Sequence, residues 1–218
     1  MRIALINQKT GYDNEVNLPS YLEKVGRIAR ESGAEIVIGP ELALGGAKNI
    51  LDFYELNEQV NSLASGLKGK LVIPGTGLVK ETGLMRNVAP IILKDGRVAY
   101  HFKNSSHCED SVAQTNGLEY ERGNVKNGLF GGEEPSFAIE ICRDHGIGKL
   151  RSVAPFFDFH FILENNLTGV SQERALIKEG GIVALVDGFD ASSYAYQRKG
   201  RELVQLKGEF REGYSFFQ

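Results

Sequence analysis

Cysteine is scarce in this sequence. Two residues, Cys108 and Cys142, stand among 218, too few for a disulfide framework. Proline is scarce as well, six residues against 26 glycines, which predicts many tight turns and no stiff linker. A basic excess is missing. The formal net charge is −3, and that excludes the electrostatic footprint of a nucleic-acid binder. No apolar run has the length of a membrane span. The chain starts with a strand-like run, Ile3 to Ile6, and lacks the charged and apolar regions of a leader. These absences predict a cytoplasmic, reducing setting, with no membrane and no nucleic-acid partner. What is present, 42% hydrophobic and 24% charged residues, suits a single domain over 1–218 with a sizeable core. No low-complexity stretch divides it.

Periodicity orders the chain. Arg2 to Asn7 is apolar enough for a central strand. Leu18 to Ser32 reads as a helix, with Pro19 in its first turn, a stripe of Leu22, Val25, Ile28 and Ala29, and Gly33 as its cap. Glu35 to Ile38 is a short strand broken by Gly39 and Pro40, and Glu41 follows at once. Ile50 to Ser65 is a second helix and Lys70 to Pro74 a strand. Asn87 to Leu93 and Arg97 to Phe102 flank Lys94-Asp95-Gly96, a hairpin signal, and Lys103 stands just past its end. Asn104 to Gly132 is polar, with weak periodicity and no clear helix, so it reads as a long functional or mobile loop. Helical spacing runs from Ile147 to Ala154. Phe159 to Leu163 is a strand, Ser171 to Glu179 a short helix, Ile182 to Val186 a strand, and Ser193 to Tyr196 with Glu202 to Leu206 a last hairpin. Two similar halves, each a sheet with helices on one face, predict a four-layer α-β-β-α sandwich.

The segment SFAIEICRDHG organises the rest. Phe137, Ile139 and Ile141 alternate with Ala138 and Glu140 as in a strand; Cys142 follows, then a polar turn into a helix. Helix N–H groups aimed at such a turn would lower a thiol's pKa and hold an oxyanion. A free cysteine buried in the core fits the local pattern equally well. Glu41, Lys103 and Cys142 each follow a separate apolar strand, and the carboxyl ends of strands are where α/β sheets place their chemistry. A thiol, a carboxylate base and a cation for an oxyanion form one working set.

At these residues a resemblance appears. IVIGPELALGG, YHFKNSSH, EYERGN, FAIEICRDHG and GGIVALVDG are similar, in order, to the glutamate, lysine, aromatic-glycine, cysteine and later strand segments of the nitrilase superfamily, the carbon-nitrogen hydrolases. Lys103 follows Glu41 by 62 residues and Cys142 follows Lys103 by 39. The resemblance implies the sandwich fold and a Glu-Lys-Cys triad. Glu41 would be the general base and later acid, Cys142 the nucleophile, and Lys103 the oxyanion stabiliser, with the Arg143 amide beside it. The implied substrate is a small amide or carbamoyl compound, cleaved through a cysteine thioester. No metal or organic cofactor is implied. Family dimers often use C-terminal segments and the helices beside the cysteine, so the resemblance implies a homodimer, with a weaker dimer or a monomer as the alternative because the chain is short for the family.

Some positions depart from the family pattern. Many members carry a second glutamate after the lysine. Glu109 is the nearest candidate here, with Glu119, Asp110 and Asn116 as alternatives. Arg143 replaces the usual aromatic residue, and Arg143, His145 and Asn165 are candidate substrate-binding residues. His145 could equally be a helix-start residue bonded to backbone, and Asn165 with Asn166 a simple turn. Three rivals remain at this level. One is a cysteine-histidine enzyme using His107 or His145. Another is a metal site of His101, His107, Cys108 and Glu109. The last is a catalytically weak, nitrilase-like binding or scaffold protein.

Overall fold

The computed structural model describes residues 1–106, 108–148, 150, 156–166, 170 and 173–218. The fold is an α/β sandwich built on two facing sheets. Strands β1 (Ile3–Ile6), β2 (Ile36–Ile38) and β4 (Leu71–Ile73) lie parallel and side by side at the heart of the first. β10 (Phe137–Ile141), β11 (Phe157–Glu164) and β12 (Ile177–Asp187) repeat that parallel triplet in the second. The two expected halves are therefore present.

Alternation along the strands decides what each face covers. Ile3, Leu5, Ile36, Ile38, Leu71 and Ile73 point inward and pack with Phe137, Ile139, Ile141, Phe161 and Leu163 of the opposite sheet. Ala4, Ile6, Val37 and Val72 point outward against Leu22, Val25 and Ala29 of α1 (Leu18–Glu31) and Leu56 and Val60 of α2 (Phe53–Ala64). Fully burying each such aliphatic side chain stabilises by roughly 1.5–3 kcal/mol. The Asn17 side chain caps α1 on the Ser20 amide at 3.0 Å, and Asp52 caps α2 on the Tyr54 amide at 2.9 Å.

The hairpin across Lys94-Asp95-Gly96 forms as β6 (Leu84–Ile92) and β7 (Val98–Phe102). The last expected hairpin forms as β13 (Ser192–Lys199) and β14 (Glu202–Gln205). Four expectations change. β5 (Gly77–Glu81) is a further strand on β6, preceded by the two-residue β3 (Leu51–Asp52), which takes the start of the expected second helix. The stretch from 104 to 132 is not loop throughout. It holds α3 (Glu109–Thr115), β8 (Glu119–Tyr120), a 3-10 turn and β9 (Leu129–Phe130). Residues 177–179 of the expected 171–179 helix belong to β12, because Ile177 is wanted in the outer core with Ile162 and Val183; Ser171 and Gln172 lie outside the described residues. Finally, β15 (Gly208–Arg211) and β16 (Tyr214–Phe217) add a hairpin to the first sheet, with β16 antiparallel to β1.

On the outer face of the second sheet, α4 (Arg143–Gly146) is the described helix. Val153 and Ala154 of the expected 147–154 helix lie outside the described residues. No described helix is long and apolar enough to cross a membrane.

Candidate active site

Glu41 sits just past β2, where Gly39 lets two strand ends meet. A Cβ at Gly39 would lie 2.2 Å from the Pro74 carbonyl oxygen. Tyr21 donates its hydroxyl to that same oxygen at 2.7 Å. Leu42 holds a positive φ of 58°, an unfavourable state for a branched side chain. It persists because the Leu42 amide donates to Thr76 Oγ1 at 3.0 Å and Thr10 Oγ1 donates to the Glu41 carbonyl at 2.6 Å. The glutamate's backbone is thus fixed from two loops.

Lys103 ends β7. Its amide donates to the Asn87 carbonyl at 2.9 Å, and its own carbonyl accepts from Gly123 at 2.9 Å. Gly123 must be glycine, since a Cβ there would lie 2.1 Å from the Phe102 oxygen; this is what the glycine of EYERGN does. The Lys103 Nζ reaches Glu41 Oε1 at 2.9 Å and Glu109 Oε1 at 2.5 Å. Asn87 Nδ2 donates to the same two oxygens, at 3.0 and 3.3 Å. Glu41, Lys103, Glu109 and Asn87 are each no more than 1% exposed. Glu109 reaches the lysine because α3 starts there. Of the alternatives, Asp110 is exposed and pairs with Ser106 and Arg122, and Glu119 and Asn116 are exposed.

Burial, with Glu109 adding to it, holds the Glu41 carboxyl above its ordinary value despite the neighbouring ammonium. Burial works against the Lys103 charge, but Glu41 and Glu109 outweigh it and raise the lysine well above its ordinary value. Lys103 is therefore a fixed cation, and Glu41 a carboxylate poised nearer neutrality.

Cys142 follows β10 with φ 48° and ψ −111°. This is a strained elbow, held by its own amide donating to the Leu163 carbonyl at 2.8 Å. Its thiol hydrogen-bonds the Glu41 carboxylate and receives the Asn165 backbone amide. The lowered thiol pKa expected from the helix start is not found. Burial and the negative charge of Glu41 push the Cys142 thiol up, and burial also raises Cys108. The one-turn α4 is too short to overcome the loss of water. Asp144, fully buried, accepts the Asn104 amide at 2.8 Å and the Ser105 amide at 2.7 Å. It thereby ties the elbow to the loop after Lys103, a role that sequence reading left unassigned.

A cavity of about 730 Å³ opens on Cys142, lined among others by Thr10, Tyr12, Cys108, Arg143, Asn165 and Phe189. Arg143 is exposed at its rim, its Nη1 donating to the Ser106 carbonyl at 3.0 Å. His145 is a correction. It is 2% exposed, lies outside the cavity lining, and donates through Nδ1 to Glu140 Oε2 at 2.8 Å. The buried carboxylate captures the ring on the far side of the sheet. His101 is fully buried and held neutral, lowered to about 4 by burial. Glu109 is committed to Lys103, and His107 lies outside the described residues, so the expected metal set does not assemble among the described ones.

Glu164, beside Asn165, is fully buried, and neither of its oxygens has a hydrogen-bond partner among the described residues. Burial, with Asp187 and Glu41, raises its carboxyl to about 9. A group whose folded value lies above its unfolded one stabilises fully only below the unfolded value, and loses that contribution as pH rises through the folded one. Glu164→Gln should therefore raise stability by about 4–5 kcal/mol near pH 8 and by nothing below about pH 4. Urea midpoints at the two pH values check this.

No family model matches the sequence, and no curated protein matches it. Solved structures do. XC1258 from Xanthomonas campestris, a CN-hydrolase superfamily protein, shares 15% identity at a TM-score of 0.65, over 99% of this chain and 89% of that one. A variant of the amidase from Nesterenkonia sp. AN1 shares 16% at 0.67, over 100% and 89%. Nit3 of Saccharomyces cerevisiae, from branch 10 of the nitrilase superfamily, shares 14% at 0.63, over 99% and 88%. The facing sheets, the order of their strands and these likenesses give the chain the four-layer α-β-β-α fold of the nitrilase, or carbon-nitrogen hydrolase, superfamily.

Proposed function

We propose that this protein is a thiol hydrolase that cleaves a non-peptide C–N bond of a small amide or carbamoyl compound. The observation that carries the reading is a single buried ammonium, Lys103, held between two carboxylates, with Cys142 hydrogen-bonded to one of them. The amidase from Nesterenkonia sp. AN1 supports it, having been captured with the acetamide moiety of fluoroacetamide added covalently at its active site cysteine.

Glu41 takes the Cys142 proton as Sγ attacks the carbonyl carbon. Because the thiol is held protonated, attack and proton transfer are coupled. The C=O electron pair moves to oxygen, and the ammonium of Lys103 with the Arg143 amide stabilises that oxyanion. Glu41 returns the proton to the leaving nitrogen, the C–N bond breaks, and ammonia or an amine departs, leaving a thioester. Water then adds, with Glu41 as base, and the acid leaves as the thiol is restored. Glu109 and Asn87 fix Lys103 and Glu41 in register. No metal or organic cofactor enters this scheme.

The test is intact-protein mass spectrometry with a panel of small amides and ureido acids, alongside ammonia release. An acyl adduct should form, and turnover should rise with pH along an acid limb lying above that of an ordinary carboxylate, because Glu41 must be ionised to act. Neither adduct nor ammonia across the panel would move the reading to a nitrilase-like binding or scaffold protein.

A further inference from the structure

Behind the cysteine elbow, on the face of the second sheet turned away from the first, lies a second buried ionisable cluster. Glu140 Oε2 is 2.8 Å from His145 Nδ1 and 3.0 Å from His160 Nε2. All three side chains are no more than 3% exposed. Glu140 Oε1 accepts the Leu150 amide at 3.4 Å.

The three residues come from three elements. Glu140 lies in β10 two residues before Cys142, His145 in α4 three residues after it, and His160 in β11, whose end supplies Asn165. The same single turn of α4 holds the lysine loop through Asp144 on its other side. We infer that the Glu140–His145–His160 cluster is a strut that keeps the strained elbow aligned with Glu41, with Glu140 and His145 as positioning residues. The inference rests on the proposed role of Glu41 as base for Cys142.

Protonation states follow from the geometry. His160 Nδ1 accepts the Leu176 amide at 3.4 Å, so its proton is on Nε2, facing Glu140. A ring whose facing nitrogen carries hydrogen donates and does not ligate a metal. The Nδ1–H of His145 makes a charge-assisted bond to Glu140 Oε2, His160 Nε2 lies 3.0 Å from it outside hydrogen-bonding geometry, and the two rings carry Glu140, against its burial, down to about 2. The cluster therefore stays anionic at its centre throughout the neutral range. Other described titratable groups near Glu140 are Glu164 of β11 and His101 of β7.

The effect is readable at the thiol itself. With an aligned elbow, Glu41 accepts the thiol proton as the C–S bond forms and iodide leaves iodoacetamide. Alkylation of Cys142, followed by peptide mass spectrometry, should then be nearly independent of pH from 7 to 9. In His145→Leu the aligned base is lost, so the rate at pH 7 should fall at least tenfold and climb about tenfold per pH unit. His145→Gln, whose amide reaches Glu140 as a donor, should restore the flat profile to within about threefold. Should the leucine variant not fold, His145→Asn, polar but too short to reach, replaces it. A merely structural role would lower the melting temperature and leave the profile flat, which would overturn the inference. So would one equivalent of a transition metal in the purified protein that His145→Leu loses. Glu41→Gln separates the two readings. If it leaves the profile flat, the base assignment falls and the strut with it; if it steepens the profile while His145→Leu does not, the strut alone falls.

Discussion

Lys103→Met should cost about 3–5 kcal/mol of stability, because it removes the cation that two carboxylates share in a dry site. The methionine keeps the stem of the side chain and removes its charge. Glu41 and Glu109 then face one another across Asn87 Nδ2, their one remaining shared donor among the described contacts. Both cannot stay ionised at that depth, so at least one must protonate to keep the fold. The loss should consequently depend on pH. Carboxyls raised in the folded state stabilise it below their unfolded pKa and cease to do so as pH climbs through the folded value. Lys103→Met should approach the wild type near pH 5 and fall far behind it at pH 7.5, and Glu109→Gln in the same chain should recover much of the deficit. Urea midpoints across this range test it. An equal deficit at both pH values would mean that the lysine contributes packing and not charge. Activity should drop by at least about 10²–10³-fold in any case, since the oxyanion loses its cation.

Cys142→Gly should abolish covalent acylation and ammonia release outright while leaving the protein at least as stable as the wild type. The φ of 48° with ψ −111° is a region where an L side chain is strained by about 1–3 kcal/mol and glycine is not. Losing the thiol removes one modest apolar contact with the inner core and its hydrogen bonds with Glu41 and the Asn165 amide, which the released strain offsets. Cys142→Ala keeps the strain and loses the sulfur, so it should melt below the glycine variant, with a gap of about 1 kcal/mol. Should alanine and glycine melt together, the elbow is not storing strain. The comparison also asks whether catalysis is the reason a strained residue stands here at all.

Sequence pattern is sufficient for the central strands because each is a short apolar run buried on two faces, as with Ile36–Ile38 and Leu71–Ile73. It fails for β15 and β16, where alternation leaves Phe210 76% exposed and Phe216 and Phe217 buried, so apolar content does not track position. It fails for α3, whose seven residues Glu109 to Thr115 include only two apolar ones, Val112 and Ala113; that helix brings one carboxylate to Lys103. Glu41, Lys103 and Cys142 were legible as candidates because each stands just past an apolar run. Asn87, Glu140 and His160 were not singled out, although the signal was there. Each is a polar residue interrupting an otherwise apolar strand, and a buried polar group needs a partner. The upward displacement of the Cys142 thiol was not legible, because it depends on how much water the sheets exclude and on a carboxylate brought in from 101 positions earlier.

The pairing of β16 with β1 joins Ile3 to Phe217. On the ribosome this means that a strand at the heart of the first sheet waits, with one edge bare, until Tyr214 to Phe217 have been made. A nascent molecule therefore carries a sticky apolar ribbon for as long as those residues are awaited, the period in which chaperone capture or self-association competes with folding. Slowing elongation just before Tyr214 should lower soluble yield more than slowing it within the first residues, although the finished protein is the same.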